Sequence, residues 1–325
     1  MFGYIIRRIL YMIPILIGVN ILTFSLFFIV NTPDDMARIH LGQKHVTKAS
    51  VEAWKQQHGY DKPLFINEKQ AGIKKLSDTI FFQKSIKLFA LQFGYSDAGR
   101  DIGYDVFQRM WPSLAIAVPT LILGLAINII IALLIVFFRN SYLDTMGVVV
   151  CVMMMSISGL FYIIGGQYLF STLLKTVPIS GYEPGWHLWK FIVLPIFIGV
   201  VSGIGAGTRW YRTLFLEEIN KDYVRTARAK GVKESIVLFR HVLSNAMIPI
   251  LTGVVAILPL LFMGSLLMES FFGIPGLGSY TIDAIQLQDF AIVRSMVFLG
   301  SLLYVMGLIL TDISYTFADP RVRLQ

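Results

Sequence analysis

The stretch "DYVRTARAKGVKESIVLFRHVLSNAMIP", residues 222–249, separates two of the most apolar parts of the chain. It gathers cations around one glycine, Gly231, and ends at a proline, Pro249. A short basic segment between apolar runs is typical of a loop that joins two membrane spans. The fold therefore depends on how many apolar runs the chain contains and on which side of a membrane this loop lies.

The composition indicates that the chain is embedded in a lipid bilayer. Of its 325 residues 55% are hydrophobic and 15% are charged, and the mean hydropathy is +0.67. A soluble domain needs a more polar surface than this composition can supply. The net charge of +8 is explained by loop topology and anionic lipid headgroups. We therefore expect the bilayer, and no nucleic acid, as a partner.

Six segments are long and apolar enough to cross a hydrocarbon core of about 30 Å, which requires roughly 20 helical residues. The expected fold is an all-α polytopic membrane protein. The first span lacks a small-residue cleavage pattern and is too long for a removable signal peptide, so it should remain as an anchor. The predicted spans are Tyr11–Val30, Ser113–Phe138, Met146–Leu174, Phe191–Gly207, Ile248–Met268 and Ile292–Leu310.

The cations of the short loops predict the orientation, because they accumulate on the cytoplasmic side. Both termini and the loop 208–247, which carries eight Lys or Arg residues, should therefore be cytoplasmic. Segments as long as 31–110 cross the membrane largely regardless of charge, so its lysines carry little weight. The other cations counted are Arg7, Arg8, Arg139, Arg321 and Arg323. The predicted organisation is 1–30 for the cytoplasmic N-terminus and first span, 31–110 for an external (periplasmic) segment, and 111–325 for a five-helix core.

The predicted spans contain no Asp, Glu, Lys or His if Arg294 lies at the interface end of the sixth. Ionisable residues at membrane depth mark proton relays and ion sites, so this absence argues against a proton-coupled carrier. It also argues against a membrane-embedded hydrolase or metal centre, and neither catalytic nor metal-binding residues are expected. The polar residues inside the spans could line a path for a polar substrate, although hydrogen bonding between helices is the more common use. The candidates are Asn128, Ser156, Ser158 and Gln167.

The opening stretch itself predicts two short helices around a glycine elbow. The first should end at Lys230, followed by Gly231 in the left-handed conformation. The second should run from about Lys233 to Asn245 and lead into the next span. Ala227 and Ala229 are small enough to let the backbone of another protein approach closely. From the residues alone, a solvated basic loop without a partner remains the alternative.

A resemblance to a known family favours a partner. "DYVRTARAKG" at 222–231, with "IP" at 248–249, resembles the EAA loop of ABC importer permeases, in the form typical of the oligopeptide, dipeptide and nickel branch. The chain departs from the family pattern at three places. The third span lacks a proline usual near "SISG" at 156–159, Ala291 stands where a proline often follows the aspartate-aromatic pair, and residues 66–87 look longer than usual. Further similar stretches are "YIIRRIL" at 4–10, "YDKPL" at 60–64, "VPISGY" at 177–182, "ESFFGIPGLG" at 269–278 and "DPRVRL" at 319–324.

The resemblance implies the type I ABC importer permease fold in a bacterial cytoplasmic (inner) membrane. Such a permease pairs with a second, similar permease as a heterodimer, binds two ATP-binding subunits and receives cargo from an external solute-binding protein. The chain has no GxxxxGK[ST] sequence, so ATP and Mg²⁺ are expected on the partner subunits and no cofactor on this chain. The resemblance assigns coupling to the ATPase to Asp222, Tyr223, Arg225, Thr226, Ala227, Arg228, Ala229, Lys230, Gly231, Ile248 and Pro249.

The glycine-rich "GIPGLG" at 273–278 does not fit a dinucleotide-binding loop, because it departs from the GxGxxG order and follows no predicted strand. We expect a tight external turn. The turn could be purely structural, or it could form an external gate or a contact for the binding protein. The residues considered for such a gate or contact are Glu269, Phe272, Gly273, Pro275, Gly276, Gly278 and Asp289.

The cargo is the least determined property, because selectivity in this family commonly resides in the separate binding protein. Di- and oligopeptides are the leading hypothesis, and nickel or another small polar solute is the alternative. The spans hold no histidine or acidic residue, which argues against a metal-specific site within the membrane. A hypothesis from another class is a channel or ATP-independent carrier that carries a basic cytoplasmic hairpin.

Overall fold

The structure, a computed structural model, describes residues 2–42, 46–68, 70 and 72–318. The predictions that concern 319–325, including Arg321 and Arg323, lie outside the described residues. The named elements are all helical, which confirms the all-α class. The α-helices are α1 Phe2–Val30, α2 Pro33–Leu41, α3 Lys48–His58, α4 Lys74–Ser77, α5 Ile80–Lys84, α6 Ile102–Phe137, α7 Tyr142–Ser156, α8 Gly159–Gly166, α9 Trp189–Ile219, α10 Asp222–Ala229, α11 Glu234–Ile236, α12 Ser244–Ile257, α13 Leu266–Phe272, α14 Leu277–Gln286 and α15 Phe290–Ala318.

Short segments of other helix types lie between or next to these. A π-helix, Val237–Leu243, joins α11 to α12, and a 3-10 helix, Leu258–Met263, follows α12. A second π-helix, Gln167–Leu173, continues α8. The remaining 3-10 segments are Ile86–Ala90 and Trp186–Leu188.

Five continuous helical stretches and one bent pair match the six predicted spans. The predicted fifth span, Ile248–Met268, was placed too late in the chain, because the helical run begins at Glu234 and passes through Pro249. A proline is tolerated inside a membrane helix when nearby groups compensate for the missing hydrogen bond. The continuous stretches are Ile6–Val30, Ile102–Phe137, Trp186–Ile219, Glu234–Met263 and Phe290–Ser314.

The third predicted span, Met146–Leu174, is not one straight helix. Its two parts, Tyr142–Ser156 and Gly159–Leu173, are bent by 86°. Ile157 and Ser158 have extended backbone conformations at the break, with ψ of 126° and 144°. The Ser156 hydroxyl donates to the Val152 carbonyl at 2.9 Å, and serine side chains of this kind compete with the helical hydrogen bonds. The bend therefore forms without the proline that the family usually has there.

The chain divides into two compact units, each with its own core. The first consists of residues 1–108 with 281–305. Its core is aromatic, and Trp54 lies within 6 Å of the rings of His40, His58 and Tyr60, centroid to centroid. Thr32 begins α2 with a capping box to Asp35, and Thr47 caps α3, which explains why two short helices form directly after the first span.

A buried charge cluster in the first unit includes the arginine that the sequence places at the end of a span. Arg294 is 5% exposed and contacts the hydroxyl of Tyr60, whose pKa burial raises to about 12. The Asp289 carboxylate accepts from the backbone N–H groups of Asp97 at 3.0 Å and Ile292 at 3.2 Å. Asp289 therefore caps the start of α15 and ties it to residue 97.

The second unit consists, among the described residues, of 109–280 with 306–318. One apolar cluster surrounds the start of the Glu234–Met263 stretch and includes Phe215, Val224, Val237 and Val242. Another cluster joins α6, α8, α9 and the turn after α13, and its fully buried members include Ile274 and Phe272. The two clusters position the knob and the cavity described below.

Candidate functional site

A small knob, residues 222–236, is formed by α10, the turn at Gly231 and α11. Gly231 has a φ of +78°, and its N–H donates to the Arg228 carbonyl at 2.9 Å. This confirms the predicted left-handed cap. A Cβ at residue 231 would meet no atom within 4 Å. The turn therefore needs glycine because of its backbone conformation and not because of crowding.

The buried face of α10 packs on the chain's own core. Val224 is fully buried and Ala227 is 7% exposed, and both belong to the cluster that contains Val237. The packing of Ala227 therefore favours a role inside the chain, and the predicted approach of another protein's backbone stays a prediction for the exposed Ala229. Ala227 lies with Val224 on the face of α10 that packs on the core, whereas Ala229 is exposed.

The opposite face of α10 is exposed and mixed in charge. Arg228 does not belong to this face, because it makes two hydrogen bonds with the Glu234 carboxylate, at 3.0 Å and 2.7 Å, and so ties α10 to α11. Arg225 lies 3.6 Å from Asp222, and both side chains are largely exposed. The exposed face, which we call the α10 face, consists of Asp222, Tyr223, Arg225, Thr226, Ala229 and Lys230.

The two residues at the end of the opening stretch lie inside a helix and not before it. Ile248 and Pro249 are exposed positions of α12. Tyr223, on the α10 face, approaches the same helix through a hydrogen bond to Asn245, and it also contacts Glu218. Partial burial and the Glu218 carboxylate raise the pKa of Tyr223 to about 12. The α10 face is thus held by α9 and α12, the helices on either side of it in the chain.

The structure does not bring the four predicted pathway residues together. Asn128 is buried and accepts from the Thr208 hydroxyl at 3.0 Å, which is the helix-to-helix role that the sequence favoured. Gln167 donates to the carbonyls of Ile179 and Phe271, both at 3.0 Å. Ser156 and Ser158 are exposed at the bend between α7 and α8. The two serines lie at the 86° break between α7 and α8, and Gln167 lies where α8 changes to a π-helix.

The turn between α13 and α14 is built around a buried carboxylate. Glu269 is 1% exposed and accepts from the backbone N–H groups of Ser265 at 3.2 Å, Gly278 at 2.7 Å and Ser279 at 3.1 Å. The Ser113 hydroxyl on α6 contacts Glu269 and accepts from the Leu277 N–H at 2.8 Å. Burial raises the pKa of Glu269, and these hydrogen bonds oppose the shift.

The same network explains the glycines of this turn. A Cβ at Gly276 would collide with the Glu269 carboxylate, and a Cβ at Gly278 would lie 2.6 Å from the Ser265 carbonyl. Gly273 has a φ of +64° after the buried Phe272. These residues, with Pro275 between them, therefore form a rigid turn. The buried positions of Glu269 and Asp289 favour structural roles over direct contact with a binding protein.

A cavity that the sequence did not predict lies in the second unit, between α6, α9 and the 3-10 segment after α12. Its volume is about 400 Å³, and its lining is mainly apolar. Ile116, Leu121, Leu261 and Met268 contribute to this lining, together with Thr120 and Ser202. The signal in the sequence is weak, because it consists of small residues such as Gly199 and Gly264 that also occur at ordinary helix contacts.

Comparison with known proteins identifies the class of the chain. Residues 128–324 match the family described as binding-protein-dependent transport system inner membrane component, and residues 1–113 match the N-terminal family of the same systems. The chain belongs to this family, and it is a multi-pass protein of the bacterial inner membrane. It is thus a permease component of an ABC transport system, which confirms the resemblance found in the sequence.

Individual relatives cover nearly the whole chain. A Brucella abortus protein, named provisionally as a peptide transport system permease protein, is 32% identical over 99% of both chains. The glutathione transport system permease protein GsiC is 29% identical in Shigella flexneri and 27% identical in Salmonella typhimurium, again over 99% of both chains. The similarity therefore includes both compact units.

Proposed function

We propose that this chain is the membrane-spanning permease subunit of an ATP-driven importer for di- and oligopeptides, and that it forms half of the translocation pathway. The relatives named for peptide and glutathione transport support this cargo class. A second permease, two ATP-binding subunits and an external solute-binding protein would complete the complex. ATP and Mg²⁺ would bind to the ATP-binding subunits.

The observation that carries the coupling role is the continuity of the knob with a membrane span. The Glu234–Met263 stretch begins within the knob, and α10 is bonded to its first turn through Arg228 and Glu234. A displacement of the knob would therefore be transmitted along one continuous helical run. We propose that the α10 face seats in a groove of an ATP-binding subunit on the cytoplasmic side.

The energy for transport must enter through this contact. A ligand shifts a conformational equilibrium only by its different affinity for the two states, so ATP on the partner subunits can drive the permease only if the knob binds differently in each state. Ala227 holds the α10 face in position for the ATP-binding subunit, because it anchors α10 to the apolar core of this chain. Gly231 supports it by allowing the chain to reverse after α10.

The bend between α7 and α8 is the best candidate for a polar surface of the pathway. Irregular backbone is not tolerated against lipid and occurs at membrane depth only where it is buried in protein or lines a water-filled space. Discontinuous membrane helices often mark substrate paths for this reason. We therefore propose that Ser156 and Ser158 face the pathway or the second permease, whereas Asn128 and Gln167 brace this chain.

The test of the coupling role reverses one charge of the α10 face. In Arg225→Glu, co-purification of the ATP-binding subunits and uptake of labelled short peptides should both fall strongly, because Arg225 is exposed and its loss leaves the core of the knob intact. The matched control is Lys74→Glu, which reverses an exposed charge in α4 of the other unit. Full assembly and uptake in Arg225→Glu would rule out the α10 face as the coupling surface.

A further inference from the structure

Residues 80–93, which the sequence assigns to the external segment, descend along two membrane spans, and we call them the re-entrant segment. The backbone carbonyl of Ser85 accepts from the Asn20 side chain of α1 at 2.9 Å. The Phe89 ring lies 5.1 Å from the Phe298 ring of α15, centroid to centroid. Asn20 and Phe298 both belong to stretches that are long and apolar enough to cross a membrane. The re-entrant segment therefore lies beside these spans and not beyond their ends.

The re-entrant segment enters and leaves at the same end of the spans. Its start lies at the level of Phe24 on α1, whose ring centroid is 5.1 Å from that of Phe81. Leu91, with a φ of +56°, turns the chain after a 3-10 segment. The chain then returns to the beginning of α15, where the backbone N–H of Asp97 donates to the Asp289 carboxylate at 3.0 Å.

The depth of the segment follows from the helical rise. The stretch Ile6–Val30 has 25 residues and a length of about 37 Å, which exceeds a hydrocarbon core of about 30 Å by about 7 Å. Asn20 lies ten residues before the external end of this stretch. With the excess shared between both ends, Asn20 and its partner Ser85 lie roughly 11 Å below the outer edge of the core. Phe298, eight residues into its own span, gives a depth of roughly 8 Å for Phe89 in the same way.

The re-entrant segment carries a cation to this depth. Lys87 lies between Ser85 and Phe89 in the chain, its side chain is exposed, and it makes no ion pair with any residue that the structure describes. Its neighbour Gln92 is exposed as well and donates its backbone N–H to the Lys87 carbonyl at 3.2 Å. Lysines at membrane depth face protein or a water-filled space and mark substrate paths, and irregular backbone is subject to the same restriction. Both features favour water over lipid at the exposed side of the segment.

We propose that Lys87 lines a water-filled part of the pathway in the outer half of the membrane and attracts the carboxylate of the peptide cargo. The proposal rests on the proposed function and on the predicted cytoplasmic N-terminus. A free C-terminal carboxylate is common to unmodified linear peptides, so one cation recognises the class without selecting a side chain. Ile86 and Leu91 are exposed next to Lys87 and offer apolar contacts to the rest of the peptide.

A phospholipid is the other source of an anion for Lys87. Its phosphate lies beyond the outer edge of the hydrocarbon core, roughly 10 Å from the depth of the Lys87 backbone. A peptide in a water-filled pathway reaches Lys87 directly, so the geometry favours the carboxylate.

Thiol labelling tests whether the re-entrant segment faces water. Cys151 is the only cysteine of the chain, so Gln92→Cys in a Cys151→Ala background gives one thiol next to Lys87. In the complete transporter in right-side-out vesicles, a charged methanethiosulfonate should react with this thiol, as measured by the mass of the chain. The matched control is Leu22→Cys in the same background, because Leu22 is 72% exposed on α1 at a similar depth and should face lipid. A Gln92→Cys thiol as unreactive as that of Leu22→Cys would refute the water-filled surroundings.

The charge of the reagent measures the effect of Lys87. With Gln92→Cys as the target, Lys87→Gln should lower the rate of a sulfonate reagent relative to a trimethylammonium reagent about tenfold. A unit charge within about 10 Å changes each of the two rates several-fold in opposite directions when the effective dielectric constant is about 40. Lys87→Arg should keep the ratio of the parent. An unchanged ratio in Lys87→Gln would contradict the proposal.

Uptake connects the cation with the cargo. Lys87→Glu should lower the uptake rate of labelled trialanine about tenfold, because it repels the carboxylate that Lys87 attracts, and Lys87→Arg should retain most of the uptake. The control is Lys74→Glu, which makes the same exchange at an exposed residue of α4 outside the re-entrant segment. It should transport like the parent.

The results that would overturn the proposal are distinguishable. If deletion of this chain leaves trialanine uptake unchanged, the peptide function itself is refuted. If uptake depends on the chain but Lys87→Glu transports like the parent, the role of Lys87 is refuted and the proposed function stands. If the purified parent retains an anionic phospholipid that Lys87→Gln loses, as measured by mass spectrometry, the anion at Lys87 is a lipid phosphate and not the cargo.

Discussion

Ala227→Asp tests whether the knob is held by its own core. Ala227 is 7% exposed and belongs to the same apolar cluster as the fully buried Val224 and Val237, so the new carboxyl group would be buried without a partner. Burying a polar group in this way costs about 3 kcal/mol, within the range of roughly 2–7 kcal/mol for such transfers. Since each 1.4 kcal/mol is a factor of about ten, the opened form of the knob should become roughly a hundredfold more populated.

Limited proteolysis measures this opening directly. Trypsin cleaves after Arg225, Arg228 and Lys230, so cleavage of the knob in inside-out membrane vesicles should be much faster in Ala227→Asp than in the parent. The control, Thr226→Asp, places the same group on the exposed side of α10 and should leave the cleavage rate nearly unchanged. If Ala227→Asp resists trypsin like the parent but no longer retains the ATP-binding subunits, Ala227 contacts the partner and the packing argument is refuted.

The remaining predictions concern two other features of the second unit. Gly231→Val should abolish peptide uptake and Gly231→Asn should retain much of it, because Asn tolerates a positive φ and Val does not. Equal loss of uptake in both variants would show that the positive φ is not the reason why uptake requires glycine at residue 231. Glu269→Ala leaves the N–H groups of Ser265, Gly278 and Ser279 without their acceptor. The free energy of unfolding should therefore fall by about 3 kcal/mol if each bond contributes about 1 kcal/mol, and the thermal midpoint of the protein in nanodiscs should be lower. Burial raises the pKa of Glu269, so the free energy of unfolding of the parent should fall as the pH rises from the pKa of this carboxyl in the unfolded chain through its pKa in the folded protein. Glu269→Gln should lack this pH-dependent loss. An identical pH profile in both proteins would contradict the burial of an ionisable carboxyl at residue 269.

The local features of the candidate site could be predicted well. The left-handed conformation of Gly231 follows from its place after a helix with a basic end, and the structure has it at a φ of +78°. The roles of Ala227 and Arg228 could not be predicted in the same way. Both were expected at a contact with another protein, and both are used inside the chain, since a ten-residue motif does not show which face of its helix meets the core.

The polar residues of the spans show the same limit. Asn128 bonds Thr208, which is 80 residues away in the chain, and Gln167 bonds Phe271 at a distance of 104 residues. Neither partner can be identified from the periodicity of one helix. The bend at Ile157 and Ser158 was also missed, because the apolar run continues through it and no proline marks the place.

The sequence by itself determined the membrane class, the six apolar segments, the basic knob and the family. These depend on the length and composition of continuous segments, and on a motif whose residues are neighbours in the chain. The tertiary structure alone decided that Glu269 holds a turn, that Asp289 caps a helix, and that Thr120 and Gly199 border a cavity. Each of these results depends on contacts between segments distant in sequence, whose packing is set by the shapes of many side chains together.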